Sequence, residues 1–91
     1  MPSRVITLIP QAIKALVVDD ESSFFLLLQK ILKKDHQFKS DHCNDPSKVM
    51  EMLKSQRYDL VFLDYHMPIF SGIEVLEQIK EEFPELPVLI I

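Results

Sequence analysis

Leu60-Val61-Phe62-Leu63-Asp64-Tyr65-His66-Met67-Pro68 is the stretch that decides the fold. Four apolar residues in succession, without alternation, read as a strand covered on both faces. The run stops abruptly at an acid, and a proline-containing loop follows. The same grammar occurs earlier, where the β-branched-rich run Ile13 to Val18 ends on Asp19-Asp20. Phe38 to Asn44 is a weaker, alternating candidate strand, and Val88 to Ile91 is a last apolar run launched by Pro87.

Helical spacing fills the intervals. In the first, Phe24, Leu27, Leu28 and Ile31 share a face, with Phe25 and Leu32 at its edge. The second opens on Asp45-Pro46, an N-cap followed by proline at the first helical position, and Val49, Met52 and Leu53 form its stripe. The third starts near Ser71 and is expected to bury Ile73, Leu76, Ile79 and Phe83 before Pro84 stops it. The order β-α-β-α-β-α-β predicts an α/β fold with a parallel sheet, helices on both faces and right-handed crossovers.

The chain has 91 residues, 47% hydrophobic and 26% charged, enough for one small domain. Its net charge is −4 and it has no long Lys/Arg block, which argues against nucleic-acid binding by this segment. No apolar run approaches the ~18–20 residues of a membrane span. The single cysteine, Cys43, fits a reducing, cytoplasmic setting. Val5, Ile6, Leu8 and Ile9 follow Arg4, but Pro10 interrupts them and no small-residue cleavage site follows, so residues 1–12 read as a flexible leader rather than a signal peptide.

The chemistry lies at the strand ends. In an open parallel sheet, ligands bind beyond the carboxyl ends of the strands. Asp19, Asp20 and Asp64 would meet there and repel one another unless a cation sat among them. A hard divalent ion such as Mg²⁺ suits oxygen ligands and phosphate. A carboxylate beside such an ion can attack phosphorus to form an acyl phosphate. The plain alternative is that acids after a strand merely cap the next helix, as Asp20 or Glu21 would.

These residues resemble a known family. Leu16-Val17-Val18-Asp19-Asp20-Glu21 is similar to the first strand and acidic pair of response-regulator receiver domains. Val61-Phe62-Leu63-Asp64-Tyr65-His66-Met67-Pro68 resembles their phosphoacceptor strand and loop, and Gly72, eight residues after Asp64, resembles the glycine opening their third helix. The 44 residues from Asp20 to Asp64 also fit, and the resemblance covers residues 13–91. It implies a flavodoxin-like sheet of order 2-1-3-4-5. It further implies that Asp64 accepts the phosphoryl group, that Asp19, Asp20, Asp64 and the His66 backbone carbonyl hold Mg²⁺, that Met67 and Pro68 shape the loop, and that Gly72 admits a close approach to the helix. The implied donor is a histidine kinase or histidine phosphotransfer protein. The implied role is that of a phosphoacceptor with slow self-dephosphorylation rather than a turnover enzyme.

The family's switch Ser/Thr and its lysine would lie beyond Ile91, so the resemblance describes a domain incomplete at its C-terminus, without the last helix-strand-helix. A chain ending there is expected to associate through an unpaired strand-four edge and to leave part of the first helix's apolar arc uncovered. Leu26, placed opposite the Phe24/Leu27/Ile31 face and flanked by Gln29, Lys30 and Lys33, is the candidate docking residue, with Phe25 beside it.

Other readings stay open. An aspartate-nucleophile phosphohydrolase would carry a second Asp two residues after the nucleophile, where this chain has His66. A truncated receiver would serve only as a docking module. His36, His42 and His66 are too scattered for a metal site; the first two read as surface histidines, and His66 flanks the phosphoryl site. Cys43 has no basic neighbour beyond His42 and reads as unreactive. No glycine-rich phosphate loop is present, which argues against nucleotide binding.

Overall fold

The computed structural model describes residues 13–32, 38–65, 67 and 72–91. The elements are β1 (Ile13–Val18), α1 (Ser23–Leu32), β2 (Phe38–Cys43), a 3₁₀ turn (Pro46–Lys48), α2 (Val49–Ser55), β3 (Leu60–Leu63), α3 (Gly72–Glu82) and β4 (Val88–Ile90). The strands form one parallel sheet of order β2-β1-β3-β4, flavodoxin-like as expected. The leader 1–12 and His36, His66, Pro68 and Ser71 lie outside the described residues.

β1 is central, and Ala15 to Val18 are fully buried, which is why that run shows no alternation. Leu16 and Val18, with Val61 and Leu63 of β3, pack against Val49 and Leu53 of α2 and Val75 and Ile79 of α3. Each fully buried aliphatic side chain of this kind contributes about 1.5–3 kcal/mol of gross hydrophobic stabilisation. On the opposite face, α1 straddles the sheet. Phe24 meets Phe62 of β3 with ring centroids 6.1 Å apart, and Phe25 stacks on His42 of β2 at 4.8 Å and 15°.

Asp45 caps the turn before α2 as expected: its carboxylate accepts from the Ser47 N–H (3.0 Å) and hydroxyl (2.7 Å), which holds it below its ordinary pKa. At the amino end of the sheet, the Lys14 N–H donates to Asp59 Oδ2 (2.9 Å) and the Tyr58 hydroxyl donates to Asp41 Oδ2 (2.6 Å). Burial, then Asp41, pushes the Tyr58 phenol well above its usual range. No helix among the described residues is long and apolar enough to cross a membrane.

Three expectations need correction. Ile73 is 41% exposed, whereas Gly72, Val75 and Ile79 form the buried line of α3. Gly72 lies against the backbone of Asp64 and Tyr65, and on this phase the helix turns Val75 and Ile79 inward and Ile73 outward. Leu27 and Ile31, assigned to the sheet-facing stripe of α1, are 54% and 64% exposed, like Leu26 at 57%. The helix rests on the sheet through Phe24 and Phe25, so its other flank has no covering element among the described residues. His42 is not a free surface histidine: it is half-buried beneath Phe25.

Candidate functional site

Register builds the site. β1 and β3 pair with Val18 beside Leu63, so the next residue of each strand, Asp19 and Asp64, emerges side by side. The Asp64 N–H donates to the Val18 carbonyl (2.9 Å), and the Asp19 N–H donates to the Cys43 carbonyl (3.1 Å). Each acid is thus fixed by the sheet ladder before its side chain is considered. On the far side, the Tyr65 N–H donates to the Ile91 carbonyl (3.1 Å), which ties the loop to the end of β4.

Asp19, Asp20 and Asp64 each offer a carboxylate oxygen, and these oxygens all lie within 4.8 Å of one another. Asp19 is buried, Asp64 half-buried and Asp20 exposed, so the cluster opens to solvent on one side. Burial raises the Asp19 pKa most; the Glu21 N–H donating to its Oδ1 (2.9 Å) opposes this, while repulsion from Asp64, a hydrogen bond with Asp64 and the charge of Asp20 raise it further. A carboxyl pushed toward its protonated form by burial and, beyond that, by two neighbouring carboxylates sits where a cation would relieve the cost of its charge. The donors are all hard oxygens, which fits Mg²⁺.

Met67 and Gly72 frame the loop after Asp64. Met67 is 8% exposed and belongs to the main core, which anchors the loop from below. The Gly72 N–H donates to the Tyr65 carbonyl (3.1 Å). A Cβ there would stand 2.7 Å from the Asp64 carbonyl oxygen and 2.8 Å from Tyr65 Cα. The close approach expected of Gly72 is therefore against the backbone of the candidate acceptor itself. The expected contributions of the His66 carbonyl and Pro68 lie outside the described residues. Of the docking candidates, Leu26 faces solvent, whereas Phe25 is half-buried against His42.

The family model of the response regulator receiver domain matches residues 15–91. The chain belongs to that family. Over 80 residues it is 36% identical to the putative two-component response regulator ARR21 of Arabidopsis thaliana, a match covering 86% of this chain and 13% of that protein. It is 36% identical to the DNA-binding transcriptional regulator NtrC of Proteus hauseri, covering 81% of this chain and 15% of the other. The receiver thus spans less than a sixth of either relative. Among solved structures it resembles the response regulator TrrA of Thermotoga maritima in complex with Mg²⁺-BeF, with a TM-score of 0.72 and 32% identity, covering 86% of this chain and 65% of the other. TrrA in complex with the histidine kinase ThkA matches with a TM-score of 0.76 and 31% identity, over 86% of this chain and 66% of that one.

The residue that sequence reasoning missed is His42. Its Nε2 lies 3.0 Å from the Asp19 backbone carbonyl oxygen. Only strand register, pairing Val17 with His42 and Val18 with Cys43, could have placed it there.

Proposed function

We propose that this receiver is a phosphoryl-accepting switch in which Asp64 takes the phosphoryl group from a phosphohistidine of a histidine kinase or histidine phosphotransfer protein. The observation that carries the reading is the convergence of three carboxylates at adjacent parallel strand ends, within 4.8 Å of one another. Asp19, Asp20, Asp64 and the His66 backbone carbonyl would hold Mg²⁺, and Met67, Pro68 and Gly72 shape the loop around it. When bound, the ion offsets charge on the carboxylates and the incoming phosphoryl oxygens.

The chain's own residues do the rest. The Val18 carbonyl and Gly72 hold the backbone of Asp64 in place, and one oxygen of its half-buried carboxylate acts as the nucleophile. That oxygen forms the new P–O bond while the P–N bond of the donor breaks. The electron pair stays on the imidazole nitrogen, which takes up a proton, and Asp64 becomes an acyl phosphate. Leu26, exposed on α1, contributes to docking the donor. The complexes of TrrA with Mg²⁺-BeF and with a histidine kinase support this reading by similarity.

The test is to supply Mg²⁺ with either a phosphohistidine donor or a generic phosphate ester. One equivalent of acid-stable, base-labile label from the first, with no sustained turnover of the second, is expected. Multiple turnover of the ester would point to a phosphohydrolase. Donor binding without labelling would point to a docking module.

A further inference from the structure

We infer that His42 is a positioning residue for the acidic site, holding the Asp19–Asp20 peptide in the orientation that aims Asp20 at the cation. This rests on the functional reading above and extends it to a residue on a different strand.

Asp19 is held at several atoms. Its N–H is bound to the Cys43 carbonyl (3.1 Å), and its Oδ1 accepts the Glu21 N–H (2.9 Å). Its carbonyl oxygen lies 3.0 Å from His42 Nε2. A carbonyl only accepts, so the nitrogen must carry the proton there. The peptide group is planar, so fixing the Asp19 carbonyl also fixes the Asp20 N–H and the position of the Asp20 Cα that carries its side chain. Asp20 is exposed, on a loop that has left the sheet, and packing does not immobilise it. The imidazole supplies that restraint from β2.

The imidazole is itself braced. β2 pairs with β1 through His42 and Cys43, and the ring lies against Phe25 at 4.8 Å, nearly parallel to it. Phe25 belongs to α1, the helix that begins directly after the acidic loop. His42 therefore locks the start and end of the β1–α1 connection together: a hydrogen bond to its first residue and a ring stack on the helix it leads into. Groups of this kind, which orient metal ligands without touching the metal, typically change affinity by about 10–100-fold when removed.

Two variants separate the hydrogen bond from the packing. His42→Phe keeps a flat ring on Phe25 and loses the donor. His42→Gln keeps an N–H donor and loses the ring. Mg²⁺ affinity is read by amide NMR titration, amide exchange at Glu21 is measured in the metal-free protein, and thermal melting reports the fold. His42→Phe is expected to melt near wild type, bind Mg²⁺ about tenfold more weakly and exchange the Glu21 amide faster. His42→Gln is expected to bind within about threefold of wild type. If His42→Phe does not fold, His42→Gln carries the test alone, and tenfold weakening there overturns the inference. Wild-type affinity in His42→Phe, or equal weakening in both variants, also overturns it. A wild type that binds no Mg²⁺ overturns the functional reading instead, while Glu21 exchange still reports whether His42 holds the loop.

Discussion

Gly72→Ala isolates the packing constraint behind Asp64. At the first position of a helix, alanine ordinarily gains up to about 1 kcal/mol over glycine from backbone entropy. Here the added carbon would sit 2.7 Å from the Asp64 carbonyl oxygen, 2.8 Å from Tyr65 Cα and 3.1 Å from the Tyr65 carbonyl oxygen. All three neighbours are backbone, so no side chain can swing aside. The loop must move by several tenths of an ångström, or α3 must tilt. Overpacking of this kind costs about 1–3 kcal/mol, which outweighs the propensity gain. In a domain of this size each kcal/mol lowers the melting temperature by roughly 4–8 °C. Because the displaced atoms belong to Asp64 and Tyr65, Mg²⁺-dependent labelling should slow even at temperatures where the variant is fully folded. Thermal melting and initial labelling rates check the two effects separately. A variant as stable as wild type that labels at the wild-type rate would refute the reasoning.

In Asp19→Asn the sign follows from the raised pKa of Asp19. A carboxyl whose folded pKa exceeds its unfolded value contributes stability below the unfolded pKa and loses it as pH rises through the folded one. Without Mg²⁺, the variant should therefore be more stable than wild type at pH 7, with the gap closing on acidification; with Mg²⁺ the order should reverse. Urea denaturation across pH checks this, and a less stable metal-free variant at pH 7 would contradict it. Leu26→Glu should slow transfer from a phosphohistidine protein several-fold and leave labelling by a small acyl phosphate unchanged; parallel loss of both would show misfolding instead. Leu89 and Ile90 of the β4 edge strand are 50% and 44% exposed. Self-association along that edge should be weakened by Leu89→Lys in sedimentation, and a wild type that is monomeric at all concentrations would exclude it.

The strands and their acids were legible because buried parallel strands leave an unbroken apolar run, and both Ala15 to Val18 and Leu60 to Leu63 end directly on an acid. Asp45-Pro46 was legible because capping is local. What failed depended on what lies opposite. A helical wheel gave α1 an apolar arc, but it could not say that Phe24 and Phe25 find aromatic partners on the sheet while Leu27 and Ile31 stay more than half exposed. In α3 Ile79 is buried as expected, but Ile73 lies outward and Val75, with Gly72 packed on backbone, takes the inward position. The acidic cluster was foreseen from strand ends. The role of His42 was not, because it arises from the pairing of β2 with β1, which sets Val17 beside His42 and Val18 beside Cys43, and no local pattern encodes that register.

Asp64 as the acceptor is tested most directly by intact mass after incubation with a small acyl-phosphate donor, with and without Mg²⁺, in wild type and Asp64→Asn. The expected result is a single added phosphoryl group on wild type, only with Mg²⁺, and none on Asp64→Asn. Equal labelling of the two proteins, or labelling of wild type that ignores Mg²⁺, would contradict it.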